Sequence, residues 1–416
     1  MNEIKHALRE IELGKVEEGL EQLSNLEQTA DHQSLYEIAE VYHQLGHIEK
    51  AKKIIDELLL FYPDEGSLYA YAAELLIDMD EEDEAIELLL EVREDDEAYL
   101  QAQLLLADLY QMQSLDEAAE RRLLLAVKKA PDEPIILYGL GEFYLERGDY
   151  IKSIPYLKKA MHKKEQLPDL RLDLRLAEAY SASGQFEDAF YYYRIGLEHA
   201  NDPYALFGYG FTAFQLRDYV VAIKQLKELK ELDPDFSSLY PLLAKAYEAE
   251  GYLDRALNTL EEGLKIDEYN EQLYIHAAKL NFKRQNPNEG ERLLRHVIAL
   301  NPSNVEAVQT LASYLKHQEM YEELLDLLNH VKKLGEEDNV YTWYAAAALK
   351  ELDQFEEAYH RFQEVEKGFE NDPEFLEEYG YFLLEYGLRD EAMDQFKKLV
   401  KIQPERVDIK EQLELF

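Results

Sequence analysis

The sequence predicts an all-α fold, a solenoid of about twelve stacked helical hairpins with a closing helix, and three observations predict it. The first is self-similarity at a spacing of 34 residues, the mark of a repeat architecture. A glycine is followed five places on by a small residue at Gly46 and Ala51, Gly148 and Ser153, Gly184 and Ala189, Gly251 and Ala256, and Gly387 and Ala392. Another small residue stands twelve places before each of these (Ala39, Gly141, Ala177, Ala244, Gly380), and Tyr42, Tyr144, Tyr180, Tyr247 or Leu383 follows three places later. Prolines recur at 63, 131, 234, 302 and 404. The second observation is that residues 38–64 read as two amphipathic helices around a glycine turn. The third is that such a hairpin has more apolar surface than it can cover alone. Neighbouring copies must bury it, which makes the array quasi-one-dimensional.

The elements follow in order. Units begin near 1, 32, 66, 100, 134, 170, 203, 237, 271, 305, 339 and 373, so that residues 1–404 form one continuous array. The first unit, 1–31, is short. In 32–65, Ala39 and Ala51 let two helices approach, and Pro63 cannot continue the second, having no N–H and a ring that clashes with the preceding turn. Residues 64–120 hold nineteen acids and one base, Arg93, which reads as a solvated helical face. Two extra residues near Gln166–Leu167 break the spacing. The unit at 203 opens with PYALFGYGFTAFQL, a helix with two apolar faces: Leu206, Gly210 and Ala213 on one, Tyr204, Phe207, Phe211 and Phe214 on the other. Pro287 and Gly290 in one unit and Leu324 at the small-residue place of the next predict an irregularity over 286–324. The tail 405–416 carries Ile409, Leu413 and Phe416 at helical steps and reads as a capping helix.

The formal net charge of −43 should repel nucleic acid and anionic membrane, because phosphate backbones are bound by Lys and Arg. No apolar run approaches the ~18 residues needed to cross a bilayer. The N-terminal MNEIKHALREIELGK is charged and amphipathic without a secretory apolar core. Cysteine is absent, which excludes disulfides, zinc–thiolate sites and thiol nucleophiles. Together these predict a cytoplasmic protein.

The repeated residues resemble the tetratricopeptide repeat (TPR) family in its 34-residue helix–turn–helix form, over residues 1–404. Pentatricopeptide arrays are the near competitor, but their RNA-reading role is at odds with the charge and the period. The resemblance implies a right-handed superhelix whose concave wall is made by the first helix of each unit. Its second, fifth, ninth and twelfth places then face the groove. In the unit at 203 these are Tyr204, Phe207, Phe211 and Phe214, which makes the second apolar face an inner wall. Three uses are open to such a stripe: packing between adjacent hairpins, contact with a partner, or a dimer interface.

The ninth places run Glu40, Glu74, Asp108, Glu142, Glu178, Phe211, Lys245 and Lys279. They suggest a groove that is acidic first, then aromatic, then basic, with Lys283 and Lys316 extending the basic part. The candidate partner-binding residues are therefore Tyr204, Phe207, Phe211 and Phe214 as anchors and Lys245 and Lys279 as counter-charges. Glu142 and Glu178 would face basic groups, and Trp343, the single tryptophan, is a secondary anchor. No unit has Lys at its fifth place, which disfavours the family's clamp for chaperone C-terminal carboxylates.

Catalytic and metal motifs are weak. The stretch from Gly208 to Ala213 matches a dinucleotide fingerprint but falls inside a predicted helix, where that motif cannot work. His43 and His47 are separated by Gly46 and read as a surface pair. Residues 78–83, DMDEED, lack the glycine of a calcium loop. Of Tyr191, Tyr192 and Tyr193, one should be core. The expectation is a protein that is not an enzyme, needs no cofactor or metal, and binds a protein or peptide segment in its groove. The alternative is a self-associating assembly protein that uses the same surfaces as a homo-oligomer.

Overall fold

A computed structural model describes residues 2–199 and 201–414. Among these residues it contains helices and no strands, in two compact units, Met1–Leu216 and Arg217–Phe416. Phe416 lies outside the described residues.

In each unit, consecutive helices pair as antiparallel hairpins. His32–Gln44 packs on Ile48–Phe61, Pro134–Glu146 on Tyr150–Met161, and Leu172–Ala182 on Phe186–Gly196 in the first. Glu271–Lys283 packs on Pro287–Leu300 and Pro373–Tyr386 on Arg389–Ile402 in the second. The small residues sit where the helices touch. Ala39, Ala51, Ala119, Ala189, Ala256 and Ala392 are fully buried. A Cβ on Gly141 would lie 2.6 Å from Leu157 Cδ2, and one on Gly380 would lie 2.5 Å from Phe396 Cε1. Ser153 takes the alanine place with no exposure by donating its hydroxyl to the Gly141 carbonyl at 2.8 Å.

The turn inside each hairpin closes by one device. A residue one to three places past the first helix takes a left-handed backbone, and the next N–H reaches back to the carbonyl five residues earlier. Examples are His47 to Tyr42 at 2.8 Å, Leu115 to Tyr110 at 2.7 Å and Leu388 to Leu383 at 2.9 Å. This 6→1 bond satisfies a carbonyl that the helix end would leave orphaned. Gly46, Gly148, Gly184, Gly251 and Gly387 meet the left-handed requirement freely, with φ of 77 to 92°. Asp80, Ser114, Arg217, Gln285, Glu319 and Asp353 adopt it at φ of 58 to 60° despite carrying a Cβ, at a cost of about 1–2 kcal/mol each. Glu319→Gly is accordingly expected to stabilise the second unit by about 1 kcal/mol. A higher thermal midpoint would show this, and an unchanged or lower one would mean the turn holds no such strain.

Several helix starts are capped by side chains accepting backbone N–H groups. Asp31 accepts from Ser34 at 2.8 Å, Asp202 from Ala205 at 3.0 Å, and Asn304 from Ala307 at 2.9 Å. The extra residues near 166 form a short 3₁₀ turn, Lys164–Gln166, with Leu167 buried behind it. Pro287 takes the first position of its helix, where a missing N–H is harmless. Leu324 is fully buried at the small-residue place. Val407–Glu414 closes the second unit by burying Ile409 completely against a cluster that includes Phe382 and Phe396.

Candidate functional site

The first helices of successive hairpins bring inner-place side chains together in the Met1–Leu216 unit. Pro134–Glu146, Leu172–Ala182 and Pro203–Gln215 frame a cleft of about 690 Å³ lined by Tyr138, Leu174, Arg175, Glu178, Tyr193 and Tyr204 among others. Tyr138 and Leu174 are fifth places, Glu178 is a ninth place and Tyr204 a second place. The cleft thus collects the family's groove positions from three consecutive units.

Tyr204 is 79% exposed at its rim. Phe207, Phe211 and Phe214 are half-buried, with the Phe211 ring edge-on to Phe186 at 6.2 Å. The stripe is therefore graded: an open ring at its start and rings partly enclosed by neighbouring hairpins beyond. Gly208 lets the backbone approach Tyr193, since a Cβ there would sit 2.2 Å from the Tyr193 hydroxyl. That packing explains Gly208, and the 208–213 stretch lies wholly within the helix Pro203–Gln215.

Arg175 organises the charges of the cleft. Its Nε meets Glu142 at 3.0 Å and its Nη1 meets Glu178 at 3.1 Å, while Arg171 reaches Asp202 at 3.2 Å. Burial pushes the Glu142 carboxyl up, against the opposing pull of Arg175. Burial also pushes the Tyr138 hydroxyl up to about 12, with Glu142 adding to the shift. Glu142 is therefore already committed to an internal partner, whereas half of the Glu178 side chain remains open to solvent. The sequence held one signal for Arg175: it is the single base in its helix, three residues before Glu178.

The basic half expected from the sequence is largely neutralised inside the Arg217–Phe416 unit. Lys279 pairs with Glu306 at 2.6 Å, Lys283 with Glu248, and Lys316 with Glu378 at 2.9 Å. Lys245 is exposed, and its field helps hold the Glu306 carboxyl low, behind the larger effects of hydrogen bonds from Lys279 and Gln272. These lysines balance acids of other hairpins, an adjacent one for Lys279 and Lys283 and the second one along for Lys316. Trp343 is also not an open anchor. It is 5% exposed, donates its indole N–H to Glu378 at 2.7 Å, and lies edge-on to Phe375 at 5.5 Å with Lys316 over its face.

Burial acts to raise the Glu248 carboxyl, but hydrogen bonds from Lys283 and His276 overcome it and hold the group below its ordinary 4.5. A depressed carboxylate adds stability above its unfolded value, and that stability is lost as pH falls through the folded value. NMR titration is expected to place Glu248 below an ordinary glutamate, and Lys283→Met to move its midpoint up. An unmoved midpoint would mean that this pair does not form in solution.

Other motifs resolve structurally. His43 bonds Asp78 at 2.6 Å, and His47 precedes the helix Ile48–Phe61. Tyr193 is buried, Tyr192 stacks on Tyr180 at 5.6 Å, and Tyr191 is 49% exposed. Among the described residues no group of three or more His, Asp or Glu is placed to hold a metal ion, and no helix is long and apolar enough to cross a membrane.

The chain is 41% identical over 408 residues to the TPR repeat-containing protein YpiA of Bacillus subtilis (strain 168), which covers 98% of this chain and 96% of that protein. This chain belongs to the YpiA-like tetratricopeptide repeat family. Models of YpiA-like C-terminal tetratricopeptide repeats match residues 340–406, and models of YpiA-like tetratricopeptide repeats match 111–165. A general tetratricopeptide repeat model matches 237–270, and the ARM repeat of tetratricopeptide repeat protein 21 matches 2–119. The anaphase-promoting complex subunit CDC16 of Saccharomyces cerevisiae is 23% identical over 219 residues, 51% of this chain and 26% of that protein. Among solved structures, YrrB, described as a TPR protein with an unusual peptide-binding site, aligns at a TM-score of 0.40 and 14% identity over 45% of this chain and 96% of its own. The APC/C hetero-tetramer Cut9–Hcn1 aligns at 0.39 and 12% identity over 98% of this chain and 94% of that chain. As a tetratricopeptide repeat protein, the YpiA-like chain falls in a class of protein-interaction scaffolds that are in general non-catalytic.

Proposed function

We propose that this YpiA-like chain is a non-enzymatic scaffold that holds a segment of a partner protein along the inner face of its Met1–Leu216 unit. An apolar or aromatic side chain of that segment packs against Tyr204. The observation that carries this reading is the exposed Tyr204 ring at the edge of a cleft built from groove places of three successive repeats. A large ring with a polar tip, beside a cleft with Leu174 at its wall and the half-open Glu178 carboxylate nearby, has the mixed character of an interface anchor. The net charge of −43 adds long-range steering of basic partners towards it.

Differential capture from the host's cytosolic extract tests the reading. Wild type and Ile151→Ala, which alters an exposed side chain on an outer helix, should retain the same partner, and Tyr204→Ala should lose it. An identical bound set in all three would remove Tyr204 from the interface.

A further inference from the structure

The acids along the inner face are not equivalent. Glu142 and Glu178 share Arg175. Three and two hairpins before Glu142, Glu40 on His32–Gln44 and Glu74 on Gly66–Ile77 have no cationic partner among the described residues. Glu40 is exposed, and among the described residues the one hydrogen bond to the Glu74 carboxylate comes from the neutral Gln101 amide, at 2.7 Å.

Beside these carboxylates stands a cluster of rings. Tyr71 lies 5.4 Å from Tyr36 and 5.6 Å from the His43 ring, which is itself held by Asp78 at 2.6 Å. Tyr71 is 7% exposed, and its hydroxyl is buried with no hydrogen-bond partner among the described residues. That hydroxyl lies within the field of Glu40 and Glu74: burial pushes it well above the ordinary tyrosine range, and both carboxylates push it further the same way. Burial and the same two acids also raise Tyr36. A buried hydroxyl without a partner is unfavourable, and an incoming donor would relieve it.

We propose that Tyr36, Glu40, Tyr71 and Glu74 form a seat for a basic side chain, the guanidinium of an arginine in a partner polypeptide. Each part of the seat meets a separate property of that group. The two carboxylates supply opposite charge, and a planar fork of five N–H donors matches them. The Tyr71 oxygen accepts one of those N–H bonds. The tyrosine faces favour a cation placed over them, the more so as water is excluded. The inference rests on the reading of the inner face as a polypeptide-binding surface, but its residues are separate from Tyr204.

Fluorescence anisotropy with a short labelled glycine–serine peptide carrying two arginines tests it, with the same peptide bearing citrulline as the neutral control. Wild type should bind the arginine peptide and not the citrulline peptide. Glu40→Gln with Glu74→Gln should weaken binding about tenfold. Glu84→Gln with Glu87→Gln, an exposed pair on the outer helix Glu82–Leu90, removes the same charge and should change binding less than twofold. Tyr71→Phe should weaken binding several-fold while leaving the thermal midpoint unchanged or higher, since the hydroxyl has no internal partner to lose. Equal losses from the inner and outer pairs would reduce the attraction to general charge steering and overturn the seat, as would Tyr71→Phe binding at wild-type strength. If Tyr204→Ala abolishes partner capture but the peptide results fail, the docking face stands and the arginine seat falls. If the peptide results hold while capture is insensitive to Tyr204, the reverse is concluded.

Discussion

Phe362→Ala is expected to cost about 3–5 kcal/mol, the range for emptying a large aromatic site in a core. Phe362 has no exposure and meets three rings: Tyr379 stacks on it at 5.0 Å, Phe382 lies tilted at 4.9 Å, and Phe375 sits edge-on at 6.0 Å. These rings join the helix Phe355–Val365 to Pro373–Tyr386, so the cavity would open between one hairpin and the next. Solenoid stability is a sum of repeat and nearest-neighbour terms. The loss should therefore be local. Hydrogen exchange should accelerate in the helices from Asn339 to Glu414 while those of the Met1–Leu216 unit keep their protection. A uniform loss along the chain would contradict nearest-neighbour stability.

The second large effect concerns binding. Tyr204→Ala should weaken the captured partner by about 2 kcal/mol or more, close to thirtyfold in Kd, as for truncation of an aromatic hot spot. Its thermal midpoint should barely move, because a ring that is 79% exposed contributes little to the core. Phe211→Ala serves as contrast. It removes an edge contact with Phe186 and should lower stability together with any effect on binding. Titration calorimetry paired with thermal melts separates the two. A Tyr204→Ala variant that binds as wild type would show the open ring to be idle.

The hairpins were legible in the sequence because their packing rests on steric facts that single residues report. A small side chain is needed where two helices touch, and Gly46 or Pro63 ends a helix by its own covalent structure. The turns at Asp80, Ser114 and Glu319 were harder to see. Their left-handed backbone is imposed by the hairpin around them, not by their own preference. Burial of Trp343 was not legible either, since the inner face is closed there by Glu378 and Lys316, residues 35 and 62 positions apart from their partners in the same cluster. The same limit hid Arg175 and the Tyr71 hydroxyl. A ninth-place acid reads identically whether or not the adjacent hairpin answers it with a base. Side-chain charge patterns along one face therefore gave too basic a second half and did not distinguish Glu142 from Glu74.

The most direct test of the docking face is site-specific photo-crosslinking in the native host, with a photoreactive phenylalanine at position 204 and, separately, at the outer position 151. One heterologous adduct is expected from 204 and none of that mass from 151. An adduct from 151 with none from 204, or an adduct from 204 with the mass of a second copy of this chain, would contradict this expectation.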